Sequence, residues 1–251
     1  QFNDARETLK PLLAKAPNEI MYNLAQVELD MYSNRLPDAQ SRVERMLTQY
    51  PGNYPLNQAR VDLMLKHLMQ NGLKVEGGDK LGKTIIFAVN QKHADFIARR
   101  FNHHYPHFNG EFARVITHAV SYAQTLIDDF SSKLNKLPQI AISVDMLDTG
   151  IDVPQVLNLV FFKAVRSKVK FLQMIGRGTR LCLNLFGPGQ HKSEFYIFDY
   201  CQNFEYFNEN PAGASGSVAE PLGKRLFKAR LDLLTLLRTP QQTPAAHSVQ
   251  E

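Results

Sequence analysis

The sequence is poor in the features that mark several large function classes. It holds two cysteines, Cys182 and Cys201, and no Cys-x-x-Cys. That argues against the usual zinc frameworks and demands no disulfide, so no metal site is expected and a reducing compartment is the simpler expectation. No apolar run approaches the ~18–20 residues of a membrane-spanning helix, and no membrane partner is expected. The opening QFNDARETLK lacks the basic and apolar regions of a secretory signal, which points to the cytoplasm. Acids are missing altogether from residues 153–193, where Lys163, Arg166, Lys168, Lys170, Arg177, Arg180 and Lys192 lie. A charge run is most often a solvated face. One this long and this one-signed also attracts phosphate backbones through counterion release, and the net charge of +5 leans the same way.

What is present divides into two styles. The 251 residues, 44% hydrophobic, suffice for one large or two small cores. In the first part Asp4-Ala5, Leu9, Leu12-Leu13 and Pro17 recur as Asp38-Ala39, Val43, Met46-Leu47 and Pro51, each pair 34 residues apart. A small residue that lets paired helices approach, apolar positions at helical spacing and a terminating proline resemble the second helix of a tetratricopeptide repeat, whose period is ~34. Residues 19–33 read as a first helix with Met21, Leu24, Ala25 and Leu29 on one face, and 54–70 as the next. Residues 1–67 are thus expected to form an incomplete all-α segment of helical hairpins. They are similar to the repeats of periplasmic metalloprotease-chaperones, a resemblance that by itself implies the periplasm and a peptide partner. No His-Glu-x-x-His occurs, so protease chemistry is not implied.

From residue 81 the pattern changes. Short β-branched and aromatic runs at 84–89, 115–117, 140–144, 156–162 and 195–199 read as strands. Helical patterns at 91–103, 121–134 and 168–180 lie between them. This alternation predicts an α/β unit over 68–204, a parallel sheet with helices on both faces. Within it Gly77–Thr84, GGDKLGKT, fits the P-loop pattern G-x-x-x-x-G-K-[ST]. A phosphate-binding loop needs a buried strand before it and a helix starting at its Lys-Thr end. Here a strand follows and only Leu73–Glu76 precedes. The string is expected to be a glycine-rich loop leading into the sheet, not a nucleotide cradle.

Two other stretches carry chemistry. ISVDMLDTGIDVP (142–154) and QMIGRGTR (173–180) look like motifs V and VI of superfamily 2 helicases and translocases, and Ile85–Val89 with the residues after it looks like motif IV. Together with DMLDTGIDVP and QMIGRGTRLC, the strings KVEGGDKLGKTIIFA, VSYAQTLIDDF, NLVFFKAVRSK and FYIFDYCQNFEYF resemble the second RecA-like domain of type I restriction enzyme R subunits, over residues 68–238. That resemblance implies Arg177 and Arg180 as arginine fingers, with Gly150, Asp152 and Gln173 at the nucleotide. It also implies Ser143, Lys163 and Arg166 on nucleic acid. The underlying physics is general: guanidinium groups aimed at a γ-phosphoryl group stabilise the charge that spreads over its oxygens during transfer. Arg177 and Arg180 share a face if their segment is helical. Two surface arginines and a turn-forming Asp152 are the bland readings.

The first RecA-like half of such a motor supplies a Walker A loop and an Asp-Glu-x-[His/Asp] box, and neither these nor a nuclease motif can be found. ATP and Mg²⁺ are therefore expected only once another module completes the site, and double-stranded DNA and a first motor domain, or other restriction-modification subunits, are the implied partners. The rival reading is a protein-interaction module fused to a non-catalytic nucleic-acid-binding α/β domain. The two resemblances meet near residues 66–71 without a Pro/Ser-rich linker. Residues 205–223 read as a flexible linker, 224–238 as an amphipathic basic helix and 239–251 as a disordered tail.

Overall fold

The computed structural model describes residues 2–118, 122–132, 137–147 and 152–210. Gly150, the basic helix 224–238 and the tail lie outside them.

Four helices come first: α1 (Phe2–Lys15), α2 (Ile20–Tyr32), α3 (Leu36–Gln49) and α4 (Tyr54–Asn71). The 34-residue period extends to their hydrogen bonds. Asn23 Nδ2 donates to the carbonyls of Pro17 (2.9 Å) and Glu19 (2.8 Å), and Asn57 Nδ2 donates to those of Pro51 (2.9 Å) and Asn53 (2.8 Å). In each case the amide ties the interhelical turn to the helix that follows. Ala39, Val43 and Met46 of α3 are buried as the repeat pattern requires. The expected inward face of α2 is not the one observed. Met21 is 70% exposed and Ala25 is also exposed, while Asn23, Gln26, Val27 and Asp30 are buried. Hydrogen bonding made the difference: each of the three buried polar residues has a partner, so their burial is not penalised.

The α/β part is a five-stranded parallel sheet in the order β4-β5-β3-β6-β7, formed by β3 (Lys83–Phe87), β4 (Ala113–Ile116), β5 (Ile140–Ser143), β6 (Val156–Phe161) and β7 (Tyr196–Asp199). The helices are α5 (Gln91–His104), α6 (Ala123–Ser131), α7 (Lys168–Ile175) and α8 (Asn203–Glu209). Alternate strand residues separate two cores. Ile86, Ile142 and Val160 face α4 and α5, while Ile85, Phe87, Ala141, Leu159 and Phe161 face α6 and α7. This is the RecA-like arrangement, with every strand of the sheet interior buried on both faces.

The join between the two halves departs from expectation. There is no boundary at residues 67/68, because α4 runs through it. Val61, Met64, Leu65 and Leu68 pack into the sheet's core, while Leu63 on the same helix packs with Val27, Leu36, Ala39 and Val43 of the helical segment. Arg100 Nε and Nη2 each reach the Asp62 carboxylate at 2.7 Å, and His104 Nε2 lies 3.0 Å from it. His103 and His104 form the last turn of α5. Lys66 Nζ donates to the Met31 carbonyl at 2.6 Å. One helix thus serves as a wall of both cores. At the other end, residues 203–209, partly assigned to a linker, form α8, capped by the Asp199 carboxylate, which accepts from the Asn203 and Phe204 amides at 2.6 and 3.0 Å.

Candidate functional site

The P-loop-like string is a hairpin. A two-residue β1 (Lys74–Val75) pairs antiparallel with β2 (Lys80–Leu81), and Gly77 and Gly78 supply the positive φ of its turn, 73° and 102°. Lys83 and Thr84 are already inside β3 and buried. The Lys83 ammonium donates to the Pro138 carbonyl at 3.0 Å and lies 4.9 Å from the centre of the Phe130 ring. Burial, helped by the neighbouring Lys80 charge and opposed by Asp129, lowers its pKa to about 8. Neither residue points into a phosphate-sized concavity, so the pattern match has no nucleotide chemistry.

The other candidates fall on two opposite rims of the sheet. β6 spans six residues, about 17 Å end to end. At its carboxyl end the chain passes Lys163 and Arg166 and enters α7, whose N-cap is Ser167. Helix α7 returns along the sheet and delivers Gly176–Arg180 to the amino end of β6. Lys192 fixes this delivery. Its ammonium, 5% exposed, donates to the carbonyls of Val156 (2.6 Å), Pro154 (3.1 Å) and Gly178 (2.6 Å). Three converging carbonyl dipoles offset the desolvation of one buried cation, yet burial still depresses its pKa to about 8. Lys192 was expected among phosphate-attracting charges. It is instead the pin that joins the 176–180 loop to the start of β6.

Helix α7 ends at Ile175, short of the predicted 180. Arg177 and Arg180 therefore lie beyond it, on a turn, and do not share a helical face. Gly178 is required there for a local reason. A Cβ on it would sit 2.1 Å from Phe195 Cδ2 and 2.5 Å from Cε2. The Phe195 ring occupies the space that a side chain would need. Arg180 is exposed and its Nε lies 3.6 Å from Asp152 Oδ1, both side chains more than half exposed. Gln173 is exposed on α7, one position before the buried Met174. So the structure brings Arg180 and Asp152 together with the Arg177 turn and leaves Gln173 further up the helix.

At the carboxyl rim, Ser143 is fully buried and its Oγ accepts from the Leu147 amide at 3.1 Å. The hydroxyl shapes the turn after β5 and is not presented to a ligand, contrary to its expected contact with nucleic acid. That turn sets Asp145 in a left-handed conformation, φ 57°. Its carboxylate lies 2.9 Å from Lys163 Nζ and 3.7 Å from Lys170 Nζ. The acid-free stretch thus receives its counter-charges from outside itself, Asp145 at one rim and Asp152 at the other. Arg166 is exposed, with its guanidinium 4.2 Å from the Tyr206 ring centre.

Two residues that hold this rim were not singled out from the sequence. Asn203, fully buried, accepts from the Val165 amide at 2.7 Å and donates to the Lys163 carbonyl at 3.1 Å. Asp199 orients Asn203 through a 2.9 Å bond to its Nδ2. The available signal was a polar Asp-x-x-x-Asn spacing straight after a strand, the form of a capped helix start.

Residues 64–182 match the model of the helicase conserved C-terminal domain. The chain is 36% identical over 123 residues to the EcoKI endonuclease subunit of a type I restriction enzyme from Escherichia coli strain K12, covering 47% of this chain and 10% of that protein. It is 29% identical over 104 residues to the EcoAI endonuclease subunit of Escherichia coli, covering 40% of this chain and 13% of that one. A solved fragment assigned to an HsdR subunit of a type I restriction enzyme from Vibrio vulnificus YJ016 shares 29% identity, with a TM-score of 0.49 over 57% of this chain and 27% of that one. The chain thus spans about a tenth of the length of the curated relatives it matches. No helix among the described residues is long and apolar enough to cross a membrane.

Proposed function

We propose, starting from the premise that residues 64–182 form a helicase conserved C-terminal domain of the type I restriction enzyme R subunit kind, that the chain supplies the second half of an ATP-dependent DNA translocase motor. The observation that carries this reading is the pairing of Arg180 with Asp152 on an exposed rim, beside a turn pinned by Lys192. An exposed Arg180 guanidinium and a half-buried Arg177 on a firmly held loop suit charge that develops outside the chain.

The fit to ATP is that of one side of a site. The residues present offer cations to phosphate oxygens but no loop to wrap them, since Lys83 and Thr84 are interior strand residues. Among the described residues no group of three or more metal-capable side chains gathers, so Mg²⁺ would be held by the complementary half. A bound triphosphate would supply the phosphoanhydride whose cleavage drives the motor. This chain's share is to aim Arg177 and Arg180, to steady Arg180 through Asp152, and to keep the turn in place through Lys192. Gly150 is proposed to serve the nucleotide by its place in the motif, two positions before Asp152. Gln173 would report on the same loop from α7.

At the opposite rim Arg166, with Lys163 and Lys170 held around Asp145, faces the DNA backbone. Asp145 sets the two lysines' positions while leaving a net positive charge. The partners are then double-stranded DNA and a first RecA-like domain or the other restriction-modification subunits, in the cytoplasm. The isolated chain is expected to turn over no ATP. The test is DNA-dependent ATPase with a separately produced first motor domain: activity should appear on mixing and fall by about 10³–10⁵ in Arg177→Ala or Arg180→Ala. Turnover of order one per second by the chain alone, or full activity in both variants, would overturn the reading.

A further inference from the structure

Between α1 and α3, with α2 as its floor, lies a cleft of about 550 Å³, a size common for ligand sites. Its floor is polar. Gln26 and Asp30 line it, 6 and 2% exposed, and fully buried Asn23 lies on the same face of α2. Its walls carry five cations, Arg6, Lys10, Arg35, Arg42 and Arg45, against the three carboxylates of Glu7, Asp30 and Asp38.

The pairing inside the cleft is uneven. Arg6 binds Asp30 at 2.8 Å, Arg35 binds Asp38 at 2.6 Å, and Lys10 stands 4.0 Å from Glu7. Neither Arg42 nor Arg45 forms an ion pair among the described residues. Both donate to one neutral oxygen, Asn23 Oδ1, at 3.0 and 3.2 Å. Nε of Arg42 and Nε of Arg6 are buried with no hydrogen-bond partner. Burial and the facing Arg45 charge lower the Arg42 pKa, and the Asp30 and Asp38 carboxylates only partly offset them. Asn23 cannot move to relieve this, because its amide nitrogen is committed to the Pro17 and Glu19 carbonyls.

We propose that this cleft binds a carboxylate-bearing peptide segment, whose carboxylate bridges Arg42 and Arg45 beside Asn23. Two planar forks converging on one planar oxygen already describe the geometry in which arginine receives a carboxylate. The wall carboxylates argue against a continuous polyanion such as DNA, which would bring its phosphates against Glu7 and Asp38. They suit a short segment of mixed charge. The site lies on the helical segment, and its existence does not depend on the motor reading.

The test is fluorescence anisotropy of the full chain with the dye-labelled peptide Gly-Ser-Asp-Glu-Ser-Gly, its C-terminus, like that of the control peptide, blocked as an amide. Controls are its amide counterpart, Gly-Ser-Asn-Gln-Ser-Gly, and an unlabelled DNA duplex as competitor. Saturable binding of the acidic peptide is expected, weakening with salt. The amide counterpart should bind at least about tenfold more weakly. Arg45→Gln, at an exposed position, should cost a similar factor while circular dichroism shows an unchanged fold. Equal binding of the two peptides, or no saturation below about 1 mM, overturns the proposal. So does displacement by duplex at a concentration where the amide peptide fails to compete, which would make the cleft a nucleic-acid surface.

Discussion

Replacing Gly178 with alanine adds one methyl group where the Phe195 ring already stands. At 2.1 Å from Phe195 Cδ2, 2.5 Å from Cε2 and 2.7 Å from Cγ, the new Cβ is more than an ångström inside ordinary carbon–carbon contact, ~3.5–4.0 Å. The turn cannot simply back away, because Lys192 holds the Gly178 carbonyl at 2.6 Å together with Pro154 and Val156. The ring must therefore tilt or the loop must part from β6. Overpacking of this kind costs about 1–3 kcal/mol. The strain is local, so relieving it should be local too. Phe195→Ala alone removes a half-buried ring and should cost less than the ~3–5 kcal/mol of a fully buried phenylalanine. In the double variant the alanine at 178 has room, and the pair should cost less than the sum of the singles by about 1 kcal/mol or more. Urea unfolding of the four proteins measures this directly. Gly178→Ala within about 0.5 kcal/mol of wild type, or strict additivity of the two changes, would refute the packing argument.

Lys192→Met should destabilise the fold by about 2–4 kcal/mol in urea unfolding, since the carbonyls of Pro154, Val156 and Gly178 lose a buried donor. Buried Lys83 and Lys192 both have pKa values lowered to about 8. An unfolded lysine, at ~10.4, holds its proton longer, so the unfolded state binds more protons between the two values. Stability should therefore rise from pH 8 towards pH 10, with the rise shallower in Lys192→Met, as read by the urea midpoint. Asp62→Asn should cost about 2 kcal/mol by unpairing Arg100 and His104 and should loosen α4 from α5, visible as faster amide exchange in both helices. Burial raises the Asp62 pKa, but hydrogen bonds from His104 and Arg100 outweigh it and leave the carboxyl below its ordinary value. That contribution is present above pH ~4 and should fade as the pH drops below it. Arg180→Ala, by contrast, should leave unfolding unchanged within about 0.5 kcal/mol, because an exposed pair adds little.

How far the sequence could be read depended on whether the deciding interactions were local. The strands appeared within a residue or two of their predicted places, because β-branched and aromatic runs bounded by polar residues leave little alternative for a buried parallel strand. The end of α7 was misplaced by five residues: Gly176 and Gly178 weaken a helix, but what stops it is Phe195 filling the space over Gly178 and Lys192 taking its carbonyl. On α2 the apolar periodicity pointed at Met21 and Ala25, and hydrogen-bonded Asn23, Gln26 and Asp30 took the interior instead. Linear sequence cannot separate a polar residue with a buried partner from one in solvent. The same ignorance put Ser143 on a ligand surface, when its hydroxyl is spent on the Leu147 amide.

The sequence by itself determined the alternation that makes a parallel sheet, the two motif-bearing stretches and the misfit of GGDKLGKT with a nucleotide loop. Each of these is a property of a few adjacent residues and their intrinsic preferences. Only the tertiary structure decided that Arg177 and Arg180 stand at the amino rim with Asp152, while Lys163 and Arg166 stand at the carboxyl rim. It also decided that α4 belongs to both cores and that Lys192 is a structural pin. The physical reason is chain reversal: α7 carries the chain back along β6, so residues close in sequence arrive at opposite ends of the sheet. The contacts that hold them there, such as Lys192 with Pro154 and Arg60 with the Tyr200 carbonyl, join residues 38 and 140 positions apart.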